Sequence, residues 1–579
     1  MSPNSLRCAL FLAAALWGCQ PAEDAAPQPE TTAPSAHAAI VAHSAEFERG
    51  VRRVTDNVYQ AIGFGLANSM LVEGEDCAFV IDVMGSVEAA GAVQEAFRTV
   101  SDKPIKAFIY THNHADHVFG GAGFDTDVEL DVYAHKSTEY YIDRVVNILR
   151  PIIAKRSARM FGSDLPRRGP DAVINAGIGP FLEISATAGT VGLVRPTVTV
   201  DERLDQEICG IKVSLVHAPG ETDDQLFVWL PDSKVLFPGD NIYKAFPNLY
   251  TIRGTPHRNV LDWVNSLDKM RRLGAEHLVP SHTRSVSGAE EIAQTLTAYR
   301  DGIAFVHDQT VRGINQGLTP DELVHTVQLP EHLARHPYLQ ELYGTVAWSV
   351  RAIFDGYLGW YSGDAAELDP ASPIVRAQAM MDLAGGRDGL LKAAQDHAAD
   401  GNLSLAAEFA GYLIWLDSGD NDARELRHRA LRELATLSTS PNGRHYYLTA
   451  AMEATNEITV AGTSTLDDRV RALIYSIPIE NFLAAMPTRL DPELSIDDNT
   501  LVAFKFTDTE QAYGLHVRYG VAQFMGYFPD DPALTVTTST EVWRRIVIGE
   551  RNLGVALAKG ELSVEGGVPS LVEFLRLFR

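Results

Sequence analysis

One eleven-residue stretch constrains this chain more than any other feature. Residues 111–121 read THNHADHVFGG and directly follow the short apolar run IKAFIY, which ends at Tyr110. Such a run is typical of a buried strand, so we expect the stretch to form a loop at a strand end. Three histidines and an aspartate packed into one loop are a ligand set suited to divalent metal ions, zinc above all.

The spacing of these four side chains distributes them over two metal ions. His112 and His114 alternate along the chain and converge on one ion, whereas Asp116 and His117 point to a second ion nearby. A single histidine is more often structural, but the pattern H-x-H-x-D-H after a strand favours a metal centre.

The motif resembles that of the metallo-β-lactamase superfamily, which implies an αββα sandwich and three further ligands. These are a residue after a PG turn, a bridging carboxylate and a late histidine. The segments VHAPGETDD, VLFPGDN and LVPSHTRS offer them, each after an apolar β-type run. The resemblance therefore implies two zinc ions per chain and seven ligands: His112, His114, Asp116, His117, Glu221, Asp240 and His282.

Within the superfamily, the chain resembles the alkyl sulfatases. Most of the superfamily has histidine after the PG turn, whereas this branch has glutamate, as here at Glu221. The branch usually has glutamate at the bridging position. Asp240 is shorter by one methylene but keeps the charge and the ligand atoms.

Two more segments extend this resemblance toward the substrate. NLYTIRG resembles the sulfate-binding segment of the branch, which implies that Arg253 and then Arg258 bind the anion. The run beginning HPYLQELYG resembles the start of the branch's helical domain and implies a tyrosine near the substrate, which we assign to Tyr357.

The charges of the implied centre agree with a role for these arginines. Three ligand carboxylates and a bridging hydroxide neutralise two divalent ions, so a sulfate ester needs guanidinium groups for attraction. Such a centre generates hydroxide near neutral pH, and Asp116 is then both ligand and catalytic residue. His257 could protonate the departing alkoxide, although an exposed loop histidine without that role is the alternative.

The remaining sequence predicts two further domains after a metal-binding domain over residues 47–315. Residues 316–460 are helical in pattern, and residues 464–579 combine helical and strand patterns. The resemblance implies a helical dimerisation domain, hence a homodimer, and a sterol-carrier-like α+β domain that holds a hydrocarbon tail. A helical domain that packs only internally and an α+β domain without a cavity are the alternatives.

The N-terminus has the features of an export signal over residues 1–19. Arg7 precedes an apolar run from Ala9 to Trp17 that is too short to span a bilayer. LWGC resembles a lipoprotein signal box, which implies lipid attachment at Cys19; a plain secretory signal is the alternative. Residues 20–46 are expected to form a disordered tether, and the protein to be periplasmic or extracellular.

Two cysteines, Cys77 and Cys209, remain in the mature chain, both in apolar strand-like contexts. Two thiols in so long a chain do not form a disulfide framework. We expect both to be buried free cysteines, with a single bridge as the less favoured alternative.

The net charge of −26, from 75 acidic and 49 basic side chains, restricts the partners. A nucleic-acid backbone requires a basic surface, which disfavours a nucleic-acid binder. The sequence thus predicts a binuclear zinc hydrolase that cleaves an amphiphilic alkyl sulfate to alcohol and inorganic sulfate. One alternative is a hydrolase of another ester, a lactone or a β-lactam. Another is a lipid-binding lipoprotein with a vestigial metal site.

Overall fold

The computed structural model of the chain describes residues 35–126, 130–183, 189–460 and 474–578. The predicted signal over residues 1–19, including Cys19, lies outside these residues. Two β-sheets lie face to face in the N-terminal part, and helices cover their outer faces. This arrangement is the αββα sandwich expected for the first domain.

The first sheet has seven strands in chain order. Its first four strands are antiparallel neighbours, and β4 to β7 run parallel. Because parallel strands end at the same edge, the loops after β4, β5 and β6 emerge at one end of the sandwich. The strands are β1 (Gly50–Arg53), β2 (Val58–Ile62), β3 (Ser69–Glu73), β4 (Ala78–Ile81), β5 (Ile105–Ile109), β6 (Asp131–His135) and β7 (Val198–Val200).

The second sheet has six strands in the order β13-β12-β11-β10-β9-β8. Only β11 and β12 pair in parallel, and the connection between them contains a helix. The strands are β8 (Arg203–Ile208), β9 (Ile211–His217), β10 (Leu226–Leu230), β11 (Val235–Phe237), β12 (His277–Leu278) and β13 (Val286–Ser287).

The helices of the N-terminal part pack mainly outside the two sheets. Apolar side chains from both sheets, including Phe79 and Phe237, fill the space between them. The helices are α1 (Ala38–His43), α2 (Val87–Phe97), α3 (Ala115–Val118), α4 (Thr138–Arg144), α5 (Arg150–Phe161), α6 (Val260–Arg271), α7 (Ala289–Asn315), α8 (Pro320–Thr326), α9 (Glu331–Ala334) and α10 (Val346–Leu358). A π-helical turn over Val145–Leu149 joins α4 to α5.

The prediction of a disordered tether over residues 20–46 is wrong for its last part. Residues 38–43 form α1, in which Ile40 is buried. Nε2 of His43 lies 2.8 Å from the carbonyl oxygen of Gly177. Composition alone could not reveal this fold, because the surface that covers Ile40 comes from distant parts of the chain.

The expectation of two free cysteines is also wrong. Cys77 precedes β4 and Cys209 follows β8, and their sulfur atoms form a disulfide across 132 positions of sequence. The bond joins the first sheet to the second. Their separation in sequence gave no sign of this pairing, which the face-to-face packing of the two sheets brings about.

The helical region has a core of its own from α11 onward, whereas α8 and α10 pack onto α7 in the core of the second sheet. The helices over Leu403–Leu416 and Asn421–Leu437 pack against each other, and Asp420 caps the second. The helices are α11 (Pro373–Leu383), α12 (Arg387–Ala399), α13 (Leu403–Leu416), α14 (Asn421–Leu437) and α15 (Pro441–Ala454).

The C-terminal domain is α+β, as expected. Its five-stranded sheet has the order β16-β15-β14-β17-β18, with helices packed against it. The strands are β14 (Asn499–Phe506), β15 (Ala512–Arg518), β16 (Val521–Met525), β17 (Leu534–Thr538) and β18 (Leu562–Glu565). The helices are α16 (Ile479–Ala484), α17 (Thr540–Val547), α18 (Leu553–Ala558) and α19 (Val568–Arg576).

Candidate metal centre

Loops from both sheets meet at one end of the sandwich. The loop after β5 carries the four residues of the H-x-H-x-D-H motif, and the loops after β11 and β12 carry Asp240 and His282. Asp240 and His282 are 1% exposed, which is rare for ionisable side chains without a partner.

Six of the seven predicted ligands form two groups. The first consists of His112, His114 and Asp240, and the second of Asp116, His117 and His282; within each group the ligand atoms lie within 4.8 Å of one another. Asp240 also reaches the second group, because its Oδ2 atom lies 3.1 Å from Nε2 of His282 and 3.5 Å from Nε2 of His117. This geometry fits a carboxylate shared between two metal ions.

Three of the imidazoles are held by their other ring nitrogen. His117 donates from Nδ1 to the carboxylate of Asp82 at 2.8 Å, and His282 donates from Nδ1 to the carbonyl of Leu66 at 2.9 Å. Nδ1 of His112 lies 3.0 Å from the hydroxyl of Thr111. Hydrogen bonds at Nδ1 leave the Nε2 lone pairs free to bind a metal.

Asp82 is a functional residue that the sequence reasoning missed. Besides His117, its Oδ2 atom accepts hydrogen bonds from the hydroxyls of Thr111 at 2.9 Å and Ser281 at 2.7 Å. One buried carboxylate thus orients two loops that carry ligands, the loop after β5 and the loop after β12. The available signal was a lone carboxylate directly after the apolar run CAFVI.

The protonation states of three predicted ligands are the ones that bind metal ions. Burial, and then the charge of His117, lowers the pKa of His112 well below its usual range, and burial with His112 does the same for the pKa of His114. Burial acts to raise the pKa of Asp116, but the charges of His117 and His282 outweigh it and lower the value to about 2. Neutral imidazoles and an ionised carboxylate are the forms that bind metals.

The buried carboxylates of the centre favour a positive charge beside them. Burial opposes protonation of His117, but Asp240 and Asp116 outweigh burial and raise the pKa of that imidazole well above its usual range. Nε2 of His112, Nε2 of His117 and Oδ1 of Asp240 are buried without a hydrogen-bond partner among the described residues. Unpartnered acceptors that face one another are stabilised by a cation, so these residues fit divalent metal ions.

Glu221 lies beside the two groups and belongs to neither. Its Oε1 atom is 3.0 Å from Nη1 of Arg258, and its Oε2 atom accepts a hydrogen bond from the hydroxyl of Tyr243 at 3.1 Å. Burial raises the pKa of Glu221. The charge of Asp240 acts in the same direction, and the charge of His282 acts against it. The predicted role of Glu221 as a metal ligand therefore stays a prediction.

The two predicted sulfate ligands reach the centre in different ways. Nη2 of Arg253 donates to Nε2 of His114 at 3.0 Å. Arg258 is 3% exposed and also donates to the carbonyl of Asn248, while its Nε and Nη2 groups have no partner within the described residues. Each guanidinium group is therefore adjacent to a predicted ligand.

A cavity of 290 Å³ opens onto His114 and Glu221. One wall is formed by α4, the π-helical turn and α5, and presents four aliphatic side chains. A second part of the lining is the loop over residues 253–258. The lining residues on the first wall are Tyr141, Arg144, Val145, Leu149, Ile152, Ile153 and Arg156.

The structure separates the last two predicted substrate residues. His257 is exposed and lines the cavity. Tyr357 does not line this cavity; it lies in the last turn of α10, is 53% exposed and is hydrogen bonded to Nε2 of His307 at 2.8 Å. Its predicted substrate contact is therefore not supported here. Gly356 packs against the His257 ring, so the next residue of the helix faces another direction.

Comparison with known proteins assigns the family. Residues 62–282 match the family model described as metallo-beta-lactamase superfamily, residues 319–457 match alkyl sulfatase dimerisation, and residues 469–579 match alkyl sulfatase C-terminal. A linear primary-alkylsulfatase of Pseudomonas sp. (strain ATCC 19151) is 38% identical over 88% of this chain and 98% of the relative. An (R)-specific secondary-alkylsulfatase of Pseudomonas sp. is 29% identical over 91% of this chain and 80% of the relative.

A solved structure agrees with these relatives. The stereoselective inverting sec-alkylsulfatase from Pseudomonas sp. superimposes with a TM-score of 0.87, 26% sequence identity and coverage of 95% of this chain and 88% of that chain. The sandwich and its ligand-bearing loops define a hydrolase of the metallo-β-lactamase fold. More narrowly, the chain belongs to the alkyl sulfatase family, as the sequence motifs predicted, and its predicted fold class is confirmed.

Proposed function

We propose that this enzyme is a zinc hydrolase that binds two ions per chain and releases inorganic sulfate from alkyl sulfate esters. The observation that carries the proposal is the pair of ligand groups sharing Asp240, beside a cavity with guanidinium groups and an aliphatic wall. The relatives named as alkylsulfatases support the same substrate class.

The first zinc would be held by His112, His114 and Asp240, and the second by Asp116, His117 and His282, with Glu221 as a further ligand beside them. Divalent ions there would supply Lewis acidity toward the ester oxygens and would lower the pKa of a water molecule toward neutrality. Asp82 and the carbonyl of Leu66 keep the imidazoles in the orientation that binding requires.

The residues of the loop over 253–258 would bind and orient the sulfate group. Arg253 and Arg258 are adjacent to predicted ligands, so a sulfate between them would receive charge-assisted hydrogen bonds. His257 lies in the same loop and lines the cavity, where it would deliver a proton to the departing alkoxide oxygen.

The aliphatic wall would bind the hydrocarbon part of the ester. Val145, Leu149, Ile152 and Ile153 lie along the π-helical turn and the first turn of α5. Arg156 fixes α5 to the sulfate-binding loop by donating twice to the carbonyl of Ile252, at 2.7 and 3.1 Å. Sulfate and alkyl chain would therefore be held by elements joined to each other.

We further propose a homodimer exported to the periplasm or the cell exterior and lipid-anchored at Cys19. The match to alkyl sulfatase dimerisation over residues 319–457 supports the dimer. The disulfide between Cys77 and Cys209 supports an oxidising compartment, because such bonds are rare in the cytosol. No described helix has the length and apolar character needed to cross a membrane.

The test is hydrolysis in oxygen-18 water. Zinc-loaded protein is incubated with dodecyl sulfate and with secondary alkyl sulfates, and inorganic sulfate is measured by ion chromatography. Mass spectrometry of sulfate and alcohol then shows which product carries the label, and hence which bond is cleaved. A panel with a phosphate monoester, a lactone and a β-lactam serves as control, and turnover of one of these without sulfate release from any alkyl sulfate would refute the proposal.

A further inference from the structure

Glu183 is a buried carboxylate that neither the motifs nor the proposed chemistry uses. It is 8% exposed, and both of its oxygens accept hydrogen bonds from backbone N–H groups. Oε2 accepts from Leu66 at 2.8 Å, in the loop between β2 and β3, and Oε1 accepts from Gly85 at 2.9 Å, in the loop between β4 and α2. A single side chain therefore ties two separate loops together.

Both loops contact the second ligand group directly. The carbonyl of Leu66, whose N–H binds Glu183, accepts the Nδ1 hydrogen bond of His282. In the other loop, the N–H of Val83 donates to the carbonyl of His117 at 2.8 Å. A Cβ atom built on Gly85 would lie 3.1 Å from Cα of Asp116, so this backbone packs closely on that ligand. Glu183 is thus linked through one residue to His282 and to Asp116, and through the segment from Val83 to Gly85 to His117.

The local sequence is arranged around this carboxylate. A Cβ atom on Gly65 would overlap its Oε1 atom, and a Cβ atom on Gly85 would lie 2.8 Å from the same oxygen. A glutamine at position 183 would replace one acceptor oxygen with an amide that donates, and one buried backbone N–H would lose its partner.

We infer that Glu183 is a positioning residue for the second metal site, formed by Asp116, His117 and His282. In the first group, His112 is oriented by Thr111, which lies in neither of the loops that Glu183 holds. Loss of Glu183 should therefore weaken one of the two sites and leave the other. The inference rests on the proposed two-zinc centre.

The test measures zinc binding rather than turnover. The full chain is freed of metal with a chelator and titrated with zinc against a chromogenic competitor, which gives the number of sites and the affinity of each. Wild type is expected to bind two ions. In Glu183→Gln we expect one site to weaken by about 10- to 100-fold, the typical effect of losing an outer partner of a ligand, and the other to keep its affinity.

Glu88→Gln is the matched control. Glu88 also accepts two hydrogen bonds, from the N–H of Thr190 at 2.8 Å and its hydroxyl at 2.6 Å, but these bonds lie at the surface and join α2 to Thr190 rather than to a loop that contacts a ligand through Glu183. We expect Glu88→Gln to bind both ions as wild type does, even if its melting temperature falls.

A second variant displaces the carboxylate without removing it. Gly65→Ala places a methyl group where Oε1 of Glu183 lies, and should also weaken one site. Gly91→Ala, whose added Cβ meets its nearest atom only at 3.8 Å, is the glycine control and should bind as wild type. If Glu183→Gln does not fold, this pair decides the question.

The outcomes separate the inference from the proposed function. Two unchanged sites in Glu183→Gln and Gly65→Ala, or equal weakening of both sites, would overturn the role of Glu183. A wild-type chain that binds fewer than two zinc ions would refute the proposed centre itself, and this is seen before any variant is compared.

Discussion

The two ends of the β-sandwich are joined in different ways. At one end, the disulfide between Cys77 and Cys209 connects the first sheet to the second. At the other end, loops of the two sheets meet through buried imidazoles and carboxylates, as in the contact of His117 with Asp240 and the hydrogen bond of Ser281 to Asp82.

The difference separates stability from chemistry. The disulfide is a covalent bond that needs no added ligand. The ligand end, in contrast, presents acceptors without a partner in the part of the chain that the structure describes, such as Oδ1 of Asp240 and Nε2 of His112. Buried groups of this kind destabilise a fold unless a ligand satisfies them, and they are what a reactive centre must keep available. Changes at the disulfide end should therefore alter stability. Changes at the ligand end should alter metal content and turnover.

The largest effect is expected at Asp240. Asp240→Asn keeps the size of the side chain but removes the charge shared by the two groups, so zinc content should fall and kcat/KM should drop by about 10⁴-fold. Zinc is measured by mass spectrometry of the purified protein, and turnover by sulfate release. Asp232→Asn, at an exposed carboxylate paired with Lys212 at 3.1 Å, is the control and should change neither quantity. Retention of both ions and of activity in Asp240→Asn would contradict the assignment of this end.

Changes at the disulfide end should lower stability and leave zinc content and turnover unchanged. Replacing Cys77 and Cys209 together with serine opens a loop of 132 positions, which we expect to reduce the free energy of unfolding by about 4 kcal/mol. Zinc content and kcat/KM of the folded double variant should stay within two-fold of wild type. Urea unfolding measures the stability, and reduction of the wild-type disulfide provides the same comparison without substitution. Loss of zinc in the double variant would show that the two ends are coupled.

Arg253 tests the substrate side of the ligand end. Arg253→Ala removes the guanidinium group next to His114, and we expect KM to rise and kcat/KM for dodecyl sulfate to fall by about 100-fold while zinc stays bound. Arg253→Lys keeps the charge but not the two-pronged geometry and should lie between wild type and alanine. Arg203→Ala, at an exposed arginine of β8, is the control. Unchanged kinetics in Arg253→Ala would remove this residue from the site.

The sequence predicted the ligand end well because its signals are local. The four residues from His112 to His117 lie in one loop, so their spacing indicated a metal centre. The family resemblance added Asp240 and His282, each after a strand-like run, and the structure brings these six side chains together. What the sequence did not predict depends on contacts between distant segments. The disulfide, the part played by Asp82 and the fold of residues 38–43 all require partners that packing supplies.

The positions of Tyr357 and Glu221 relative to the two ligand groups have a related cause. Tyr357 was assigned from a similar stretch of sequence, but a helix turns about 100° per residue, so the neighbour of a residue that faces the site faces elsewhere. Glu221 follows its turn as predicted, yet Arg258 and Tyr243 compete for its two oxygens. Sequence gives the chemical type of a residue, whereas its direction is set by helix phase and by competing partners.

The smallest predicted effect concerns another contact between the two sheets at the ligand end. His135, at the end of β6, stacks on His217, at the end of β9, with ring centroids 4.1 Å apart. Burial, and then the neighbouring His217, lowers the pKa of His135 to about 4. The unfolded chain has the ordinary pKa of about 6.5 and binds the proton more strongly, so this contribution to stability is complete above pH 6.5 and is lost as pH falls toward 4.

Because His217 is partly exposed, solvent screens the interaction, and we expect a loss of about 1 kcal/mol between pH 6.5 and 5. His135→Gln should remove that part of the pH dependence, measured as the difference between variant and wild type in urea unfolding at a series of pH values. His277→Gln, in β12 and hydrogen bonded to Ser287 at 2.9 Å, should keep the wild-type slope. If His135→Gln and wild type lose stability in parallel, the stacked pair does not contribute to the pH dependence, and its assigned role at this end of the sandwich is wrong.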